Sequence, residues 1–293
     1  MHSPANAVSA THVLIDVIPF LRCPHCGDGF AFGSASLRCG RGHTFDVARQ
    51  GYVNLTAGQG RAHPGDSAAM VAARESFLGT GHLARLREAI ADTARQVASP
   101  ASKPSCVIDA GAGTGYYLAG VLDQLQEHIG VALDASRFAL RRATRAHPRI
   151  GAIGCDVWGR LPLADGCAAI LLDVFAPRNG PEFARVLDSH GRLIVVTPTA
   201  AHLQELISPL GLISVDPLKS QRLEAELSAN FARKGSSRLE QTLVLDEGEL
   251  MTLVRMGPSA RHLQDEELSR RVSRLQAAVA VTVSVTISVY SPL

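Results

Sequence analysis

The chain has 293 residues, 46% of them hydrophobic, 19% charged and 5% aromatic, and carries a net charge of +2. This is globular composition, long enough for one large domain or two small ones. No run approaches the ~20 apolar residues of a membrane span, no basic residue precedes Arg22 to open a signal peptide, and the net charge is too small to draw a polyanion to the whole surface; a cytoplasmic protein is expected, with any nucleic-acid contact confined to local basic patches.

The first chemical feature along the chain is Cys23-Pro-His-Cys26, followed after twelve residues by Cys39-Gly-Arg-Gly-His43. Two cysteines separated by two residues form a tight knuckle that presents both sulfurs to one ion. A second Cys/His pair across a short hairpin completes a tetrahedral shell. Thiolate and imidazole suit Zn²⁺, and four protein ligands leave no open position, so one structural zinc is expected on Cys23, Cys26, Cys39 and His43. His25 reads as a solvent-facing spacer. Phe30 to Arg38 reads as two short strands about a Gly/Ser turn. The segment is too small to bury a core of its own, so metal binding should supply much of its folding energy.

Residues 1–60 thus form one predicted unit, ending in Gly51-Tyr-Val-Asn and a Gly-rich stretch. Residues 61–104 read as a helical connector. Leu83, Leu86, Ile90, Ala94 and Val97 recur at helical spacing, and Ser99-Pro-Ala-Ser-Lys-Pro104 closes the connector as a linker. Residues 105–293 alternate short apolar runs with helical patterns. Strands are predicted at Cys106–Ala110, Ile129–Asp134, Ile150–Cys155, Ala168–Val174, Arg192–Thr197, Leu212–Val215 and Val281–Tyr290. The alternation predicts an α/β fold with a mostly parallel, doubly wound sheet, whose ligands bind outside the strand carboxyl ends.

The first of these strands runs into Asp109-Ala-Gly111-Ala-Gly113-Thr-Gly115-Tyr116, and the next ends at Asp134. Missing side chains let the backbone approach a ligand closely, and an acidic residue at the end of the second strand can take both ribose hydroxyls of an adenosine-type cofactor. The spacing is Gly-x-Gly-x-Gly, not the dinucleotide Gly-x-Gly-x-x-Gly, and it fits a ligand with an amino-acid tail better than a pyrophosphate. With its acidic lead residue the turn looks like the cofactor loop of class I (Rossmann-like) S-adenosylmethionine methyltransferases. Such enzymes place an acidic residue near the adenine amino group at the end of the third strand, here Asp156; a plain loop carboxylate is the rival reading.

Several segments together resemble one family. They are Leu21-Arg-Cys-Pro-His-Cys, Gly42-His-Thr-Phe-Asp-Val-Ala-Arg-Gln-Gly-Tyr-Val-Asn-Leu55, Gly65-Asp-Ser67, Arg74, Phe77-Leu78, Gly81-His82, Val174-Phe-Ala-Pro-Arg178, Thr197-Pro-Thr-Ala-Ala-His-Leu203 and Met256-Gly-Pro258. The chain is similar to bacterial 23S rRNA guanine-N1 methyltransferases of the RlmA type, nearest the branch that protects makers of tylosin- and mycinamicin-like macrolides. The resemblance implies a zinc module at 1–60 that grips an rRNA hairpin lining the peptide exit tunnel, joined to an S-adenosylmethionine-dependent methyltransferase domain at 105–293. It implies a cofactor pocket completed by Leu83, the Gly115-Tyr116 turn and His202, and a homodimer. Leu83 stands where some relatives carry Tyr, which leaves its part to backbone or packing.

For methyl transfer to guanine N1, the Phe175-Ala-Pro177-Arg178 loop after the fourth strand is the expected acceptor edge. Phe175 would stack on the purine, with core packing as its rival; Pro177 would stiffen the turn, and Arg178 would hold a phosphate or the guanine carbonyl. Asp173 and His202 are the two candidates for the general base. Arg22, Arg38, Arg41 and Arg49, and the run Arg137, Arg141, Arg142, Arg145 and Arg149, are candidate phosphate contacts; a solvated helix face is the alternative for the run. Two other functions fit the same motifs: a small-molecule methyltransferase whose pocket the zinc knuckle caps, and a non-catalytic RNA-binding assembly factor. The zinc and cofactor modules are expected to fold on separate cores.

Overall fold

The computed structural model describes residues 13–56, 65–98, 105–214 and 219–293. Around the cysteines, β1 (Phe30–Gly33), β2 (Ser36–Cys39) and β3 (Thr44–Asp46) form a three-stranded antiparallel sheet. The strand β4 (Val53–Asn54) leaves this small sheet and pairs, in parallel, with the edge of a second and larger one. That sheet has the order β10-β11-β9-β8-β5-β6-β7-β4. Its strands are β5 (Cys106–Ala110), β6 (Ile129–Asp134), β7 (Ile150–Gly154), β8 (Ala168–Val174), β9 (Leu187–Pro198), β10 (Phe231–Asp246) and β11 (Ala278–Pro292). From β9 to β4 all neighbours are parallel; β11 runs antiparallel between β9 and β10. The parallel strands are continuous apolar runs because helices cover both faces.

Among the described residues, the α-helices from Ala68 onward are α1 (Ala68–Gly79), α2 (Ala84–Val97), α3 (Tyr116–Gln124), α4 (Arg137–Ala146), α5 (Gly180–Val186), α6 (Gln204–Leu210), α7 (Lys219–Leu227), α8 (Glu247–Met256) and α9 (Asp265–Val272). The connector stripe is largely as expected: α2 buries Leu86, Ile90, Ala91 and Ala94. Helix α1 starts at Ser67, whose hydroxyl accepts the Met70 N–H, satisfying one of the donors a helix start leaves open. Among the described residues no helix is long and apolar enough to cross a membrane.

The sequence reading needs three corrections. The expected strand Leu212–Val215 does not form over its described part: residues 212–214 are irregular, and Val215 lies outside the described residues. The Leu212 N–H instead bonds the Ile207 carbonyl and closes α6. The sixteen-residue β10 carries no expectation at all. It is an edge strand with Arg233, Lys234, Ser236, Ser237 and Arg238 exposed in a row, so the alternation that announces a half-buried strand is faint there. The third concerns the cores. Leu14, Val17, Leu21, Leu37, Val53 and Leu55 share one buried cluster with Ile108, Val131, Ile153, Leu171 and Phe183 of the large sheet and its helices. The cysteine-bearing segment does not fold on a core of its own.

Candidate active site and metal cluster

Two chain reversals bring the four expected metal ligands together. The Gly27 N–H bonds the Cys23 carbonyl, and the Gly42 N–H bonds the Cys39 carbonyl. Cys23, Cys26 and Cys39 Sγ and a His43 ring nitrogen then lie within 4.8 Å of one another. Cys26 and Cys39 Sγ are 3.6 Å apart, and His43 Nδ1 is 3.3 Å from Cys39 Sγ and 3.6 Å from Cys23 Sγ. Sulfurs held tetrahedrally at about 2.3 Å from one zinc would stand roughly 3.8 Å apart, so the donor set fits that ion. Burial raises the Cys39 thiol, but the Arg41 backbone and the Cys26 and His43 side chains outweigh it and hold it down at about 6. His25 lies outside the set, stacked on Phe45 with ring centroids 5.7 Å apart.

At the carboxyl ends of β5 and β6 the glycine turn is pinned by an acidic residue. Asp134 Oδ2 accepts the Gly113 N–H at 2.8 Å, and Oδ1 accepts the Ser136 N–H at 2.7 Å. Gly111 adopts φ +77°, and a Cβ there would lie 2.7 Å from the Ala176 Cβ. Only a glycine allows the turn and the Phe175 loop to approach so closely. Asp109 is buried and its Oδ2 has no hydrogen-bond partner. Burial, together with the charges of Asp134 and Asp173, pushes its carboxyl up to about 8. Burial also raises Asp134. A buried acid without a hydrogen-bond partner at its Oδ2, next to Asp134, suits a cationic ligand, and S-adenosylmethionine carries both a sulfonium and an ammonium. The residues fit that cofactor.

This buried acid gives a pH prediction. A carboxyl raised from 3.8 to about 8 contributes stability that is complete below about pH 4 and lost as pH rises through about 8. Asp109→Asn is therefore expected to raise the cofactor-free melting temperature relative to the native chain at pH 8, with a gap that closes towards pH 5. Melting curves that stay parallel across this range would contradict the burial of that charge.

The other expected cofactor residues differ in what they do. Tyr116 opens α3; its ring packs edge-on to Tyr117 and lies 5.3 Å from the Arg87 guanidinium. Gly115, at φ +80°, is the residue before that helix. Asp156 Oδ1 accepts the Trp158 N–H at 3.0 Å, so one oxygen closes its own loop. Leu83 is 5% exposed and belongs to the buried cluster of Phe77, Leu206 and Leu250; its side chain is used in packing, one of the two parts the sequence left to it.

The loop expected to receive the acceptor is strained. Phe175 sits at φ +55°, a left-handed conformation rare for a bulky residue, and 44% of it is exposed, so the core-packing alternative does not hold. Its ring centroid is 6.0 Å from that of His202, and Leu203 next to His202 is also left-handed, at φ +54°. Pro177 follows within the same exposed turn. Asp173 is completely buried, accepts the Ala176 N–H at 3.2 Å and pairs with Arg178 Nε at 3.0 Å. Arg178 is thus turned inward to Asp173, not outward to a phosphate, and Asp173 is engaged in holding the loop. His202 Nδ1 accepts the Ser284 N–H at 3.2 Å. A backbone N–H can only donate, so the neutral ring carries its proton on Nε2 and presents a donor there. Both expected bases are engaged with the chain itself, Asp173 through the Ala176 N–H and Arg178 and His202 through the Ser284 N–H. Breaking a buried ion pair by removing one charge typically costs about 3–5 kcal/mol; Asp173→Asn is expected to destabilise the chain by this amount in denaturant titration, and a loss below about 1 kcal/mol would contradict the pairing.

The arginines divide likewise. Arg149 gives its guanidinium to the carbonyls of Leu125, Gln126 and His128, and Arg142 pairs with Glu75 at 2.9 Å. Arg22 bonds the carbonyls of Pro19 and Leu21. Arg38, Arg41, Arg49, Arg137 and Arg145 remain exposed. Sequence reading missed a clamp above the glycine turn: Arg74 Nη1 bonds Asp66 at 2.6 Å, Nη2 reaches the Met256 carbonyl at 2.9 Å, and Nη1 stands 3.4 Å from a Cβ built on Gly113. Arg74 and Met256 are 182 positions apart, and no local pattern joins them.

Comparison with known proteins agrees with this arrangement. Residues 21–60 match the family described as the RlmA N-terminal zinc ribbon. A protein of Micromonospora griseorubida named as a 23S rRNA (guanine-N1)-methyltransferase is 50% identical over 293 residues, covering 95% of this chain and 99% of that one. The 23S rRNA (guanine(748)-N1)-methyltransferase of Streptomyces fradiae is 48% identical over 278 residues, covering 95% and 99%. A Bacillus subtilis protein with the same guanine-N1 designation is 30% identical, covering 91% and 95%. With the zinc-ribbon family matched over residues 21–60 and relatives of 30–50% identity matched over nearly their full length, this chain belongs to the family of 23S rRNA (guanine-N1)-methyltransferases.

Proposed function

We propose that the protein transfers a methyl group from S-adenosylmethionine to N1 of a guanine in a 23S rRNA hairpin lining the peptide exit tunnel, and that this confers resistance to macrolides of the tylosin and mycinamicin type. The observation that carries the reading is the near contact of the glycine turn with the Phe175 loop, Gly111 against Ala176. It joins a cofactor cradle to an exposed aromatic at one sheet edge. The resemblance to the macrolide-protecting branch supports the resistance role, and the Streptomyces fradiae name suggests guanine 748 as the target.

When bound, the cofactor would supply an activated methyl on a sulfonium: as the N1–CH3 bond forms the S–CH3 bond breaks, S-adenosylhomocysteine leaves as a neutral thioether, and the N1 proton passes to water. In-line transfer depends on positioning, and this chain's residues divide that task. Gly111, Gly113 and Gly115 keep the turn free of side chains. Asp134 holds the turn through Gly113 and retains lone pairs for ribose hydroxyls. With the cofactor bound, Asp109 would balance its positive charge, and the remaining oxygen of Asp156 would accept from the adenine amino group. Guanine N1 lies on the pairing edge, so the base must leave its partner, at a cost of a few kcal/mol. Phe175 receives its face, Pro177 holds the turn, and Asp173 acts as a positioning residue through Arg178 and the Ala176 N–H. His202 Nε2–H donates at the same edge. The zinc ribbon, residues 1–60 in this division, holds its fold through the metal and offers Arg38, Arg41 and Arg49 to phosphates. The 61–104 connector carries Arg74 over the turn. The reaction takes place where ribosomes are, in the cytoplasm, and two copies would share one RNA cleft.

Primer extension tests the position. N1-methylguanine cannot pair, so rRNA treated with the protein should stop reverse transcriptase beside one guanine of the hairpin. A full-length product from treated rRNA would contradict the assignment.

A further inference from the structure

Among the described residues, six large hydrophobic side chains are exposed: Ile15, Trp158, Phe175, Ile213, Val244 and Leu293. Only two of these are aromatic. Phe175 belongs to the acceptor loop already described. Trp158 is the more exposed, at 57%, and it is the single tryptophan of the chain. Leaving so large an aromatic surface in water is unfavourable unless something covers it.

Its loop is built to hold it still. Asp156 Oδ1 accepts the Trp158 N–H. The Asn179 side-chain amide donates to the carbonyls of Val157, Trp158 and Gly159 at 3.0, 3.1 and 2.9 Å. Asn179 is also the residue before α5, two positions after Pro177, so the same side chain ties Trp158 to the acceptor loop. Further on, Glu182 Oε2 accepts the Leu161 N–H at 2.8 Å, and Arg185 donates to the Leu161 and Leu163 carbonyls. The loop then meets the zinc segment. The Arg22 N–H bonds the Pro162 carbonyl, the Ala164 N–H bonds the Phe20 carbonyl, and Leu21 bridges Leu163. Trp158 therefore projects from a fixed span between the zinc ribbon and the acceptor edge, with the exposed Arg160 two residues away.

We propose that Trp158 is a stacking platform for a nucleobase of the RNA substrate, distinct from the target base received at Phe175. This rests on the rRNA reading above. Every base offers a π-face, so an aromatic on a rigid mount beside a cation grips an unpaired nucleotide without reading its identity. The location favours RNA over other occupants, because a hairpin reaching from the ribbon to Phe175 must cross this span.

The test uses protein-free 23S rRNA and the full chain. Stacking contributes about 1–3 kcal/mol per base, so Trp158→Ala should raise KM for rRNA about five- to a hundredfold. Its kcat at saturating rRNA and its affinity for S-adenosylmethionine should stay within about twofold, and its melting temperature should be unchanged. Trp158→Phe should recover most of the loss. With one tryptophan, fluorescence excited selectively at the red edge, where tyrosine does not absorb, reports this side chain alone; it should respond to a short RNA hairpin and not to S-adenosylmethionine. An unchanged KM in Trp158→Ala overturns the proposal. So does weaker cofactor binding with normal rRNA affinity, which would make Trp158 a cover for the adenine, and so does a changed oligomeric state, which would make it a contact between copies. In all three cases the native chain still methylates rRNA. A native chain that leaves rRNA unmethylated removes the rRNA reading itself.

Discussion

His43→Ala is expected to empty the metal site and to lower the melting temperature of the whole chain, not of the ribbon alone. The ribbon's Leu21 and Leu37 are completely buried in the same cluster as Ile108 and Val131 of the sheet, and β4 is hydrogen-bonded to β7. Without metal the knuckles lose the interaction that closes them. The loosened segment withdraws apolar surface from the large core. Loss of a structural metal ligand belongs among the most destabilising substitutions, roughly 3–5 kcal/mol, or about 10 °C for a chain of this size. Metal analysis should fall from one zinc per chain to none, and RNA affinity should fall with it. Retained metal would contradict the ligand assignment. Lost metal with an unchanged melting temperature would contradict the shared core.

Asp134→Ala is expected to weaken S-adenosylmethionine binding by about a hundredfold or more in calorimetry. Two effects combine. The substitution removes the acceptors proposed for the ribose, and it strips the Gly113 and Ser136 N–H groups of their partner. Hydrogen bonds to a charged acceptor contribute about 1.5–3 kcal/mol each, and every 1.4 kcal/mol is about tenfold in affinity. The turn that Asp134 pins is also the one that Gly111 brings against Ala176, so methyl transfer should fall further than cofactor binding does. An unchanged affinity would contradict the role of Asp134 in the cradle.

What the sequence shows of this molecule follows from how local the signals are. The metal cluster is legible because both ligand pairs are short local motifs and the chemistry of the donors is unmistakable. The central strands β5, β6 and β8 are legible because burial on both faces leaves uninterrupted apolar runs. The glycine turn is legible because close backbone approach excludes side chains. β10 is hidden by its polar edge. α8 also escaped the periodicity, although its capping box, Asp246 with Glu249, is a local mark that reveals its start. At the site, residue types point to Asp173, Arg178 and His202 but do not say which atoms are already engaged. The Asp173–Arg178 pair joins the end of β8 to the loop after it, and the Ser284 N–H that fixes the His202 ring comes from β11, 82 positions away. The Arg74 clamp and the Asn179 bracket are tertiary facts of the same kind. Sequence spacing carries chemistry; it does not carry the hydrogen bonds that convert a candidate base into a positioning group.

The most direct measurement is transfer from tritiated S-adenosylmethionine to protein-free 23S rRNA, followed by nucleoside analysis, with cofactor binding measured in the same buffer. The expected result is label in 1-methylguanosine alone, close to one methyl per rRNA, and abolished by Asp134→Ala. Unlabelled rRNA under conditions where the cofactor demonstrably binds would contradict the assignment of this sheet edge to guanine methylation.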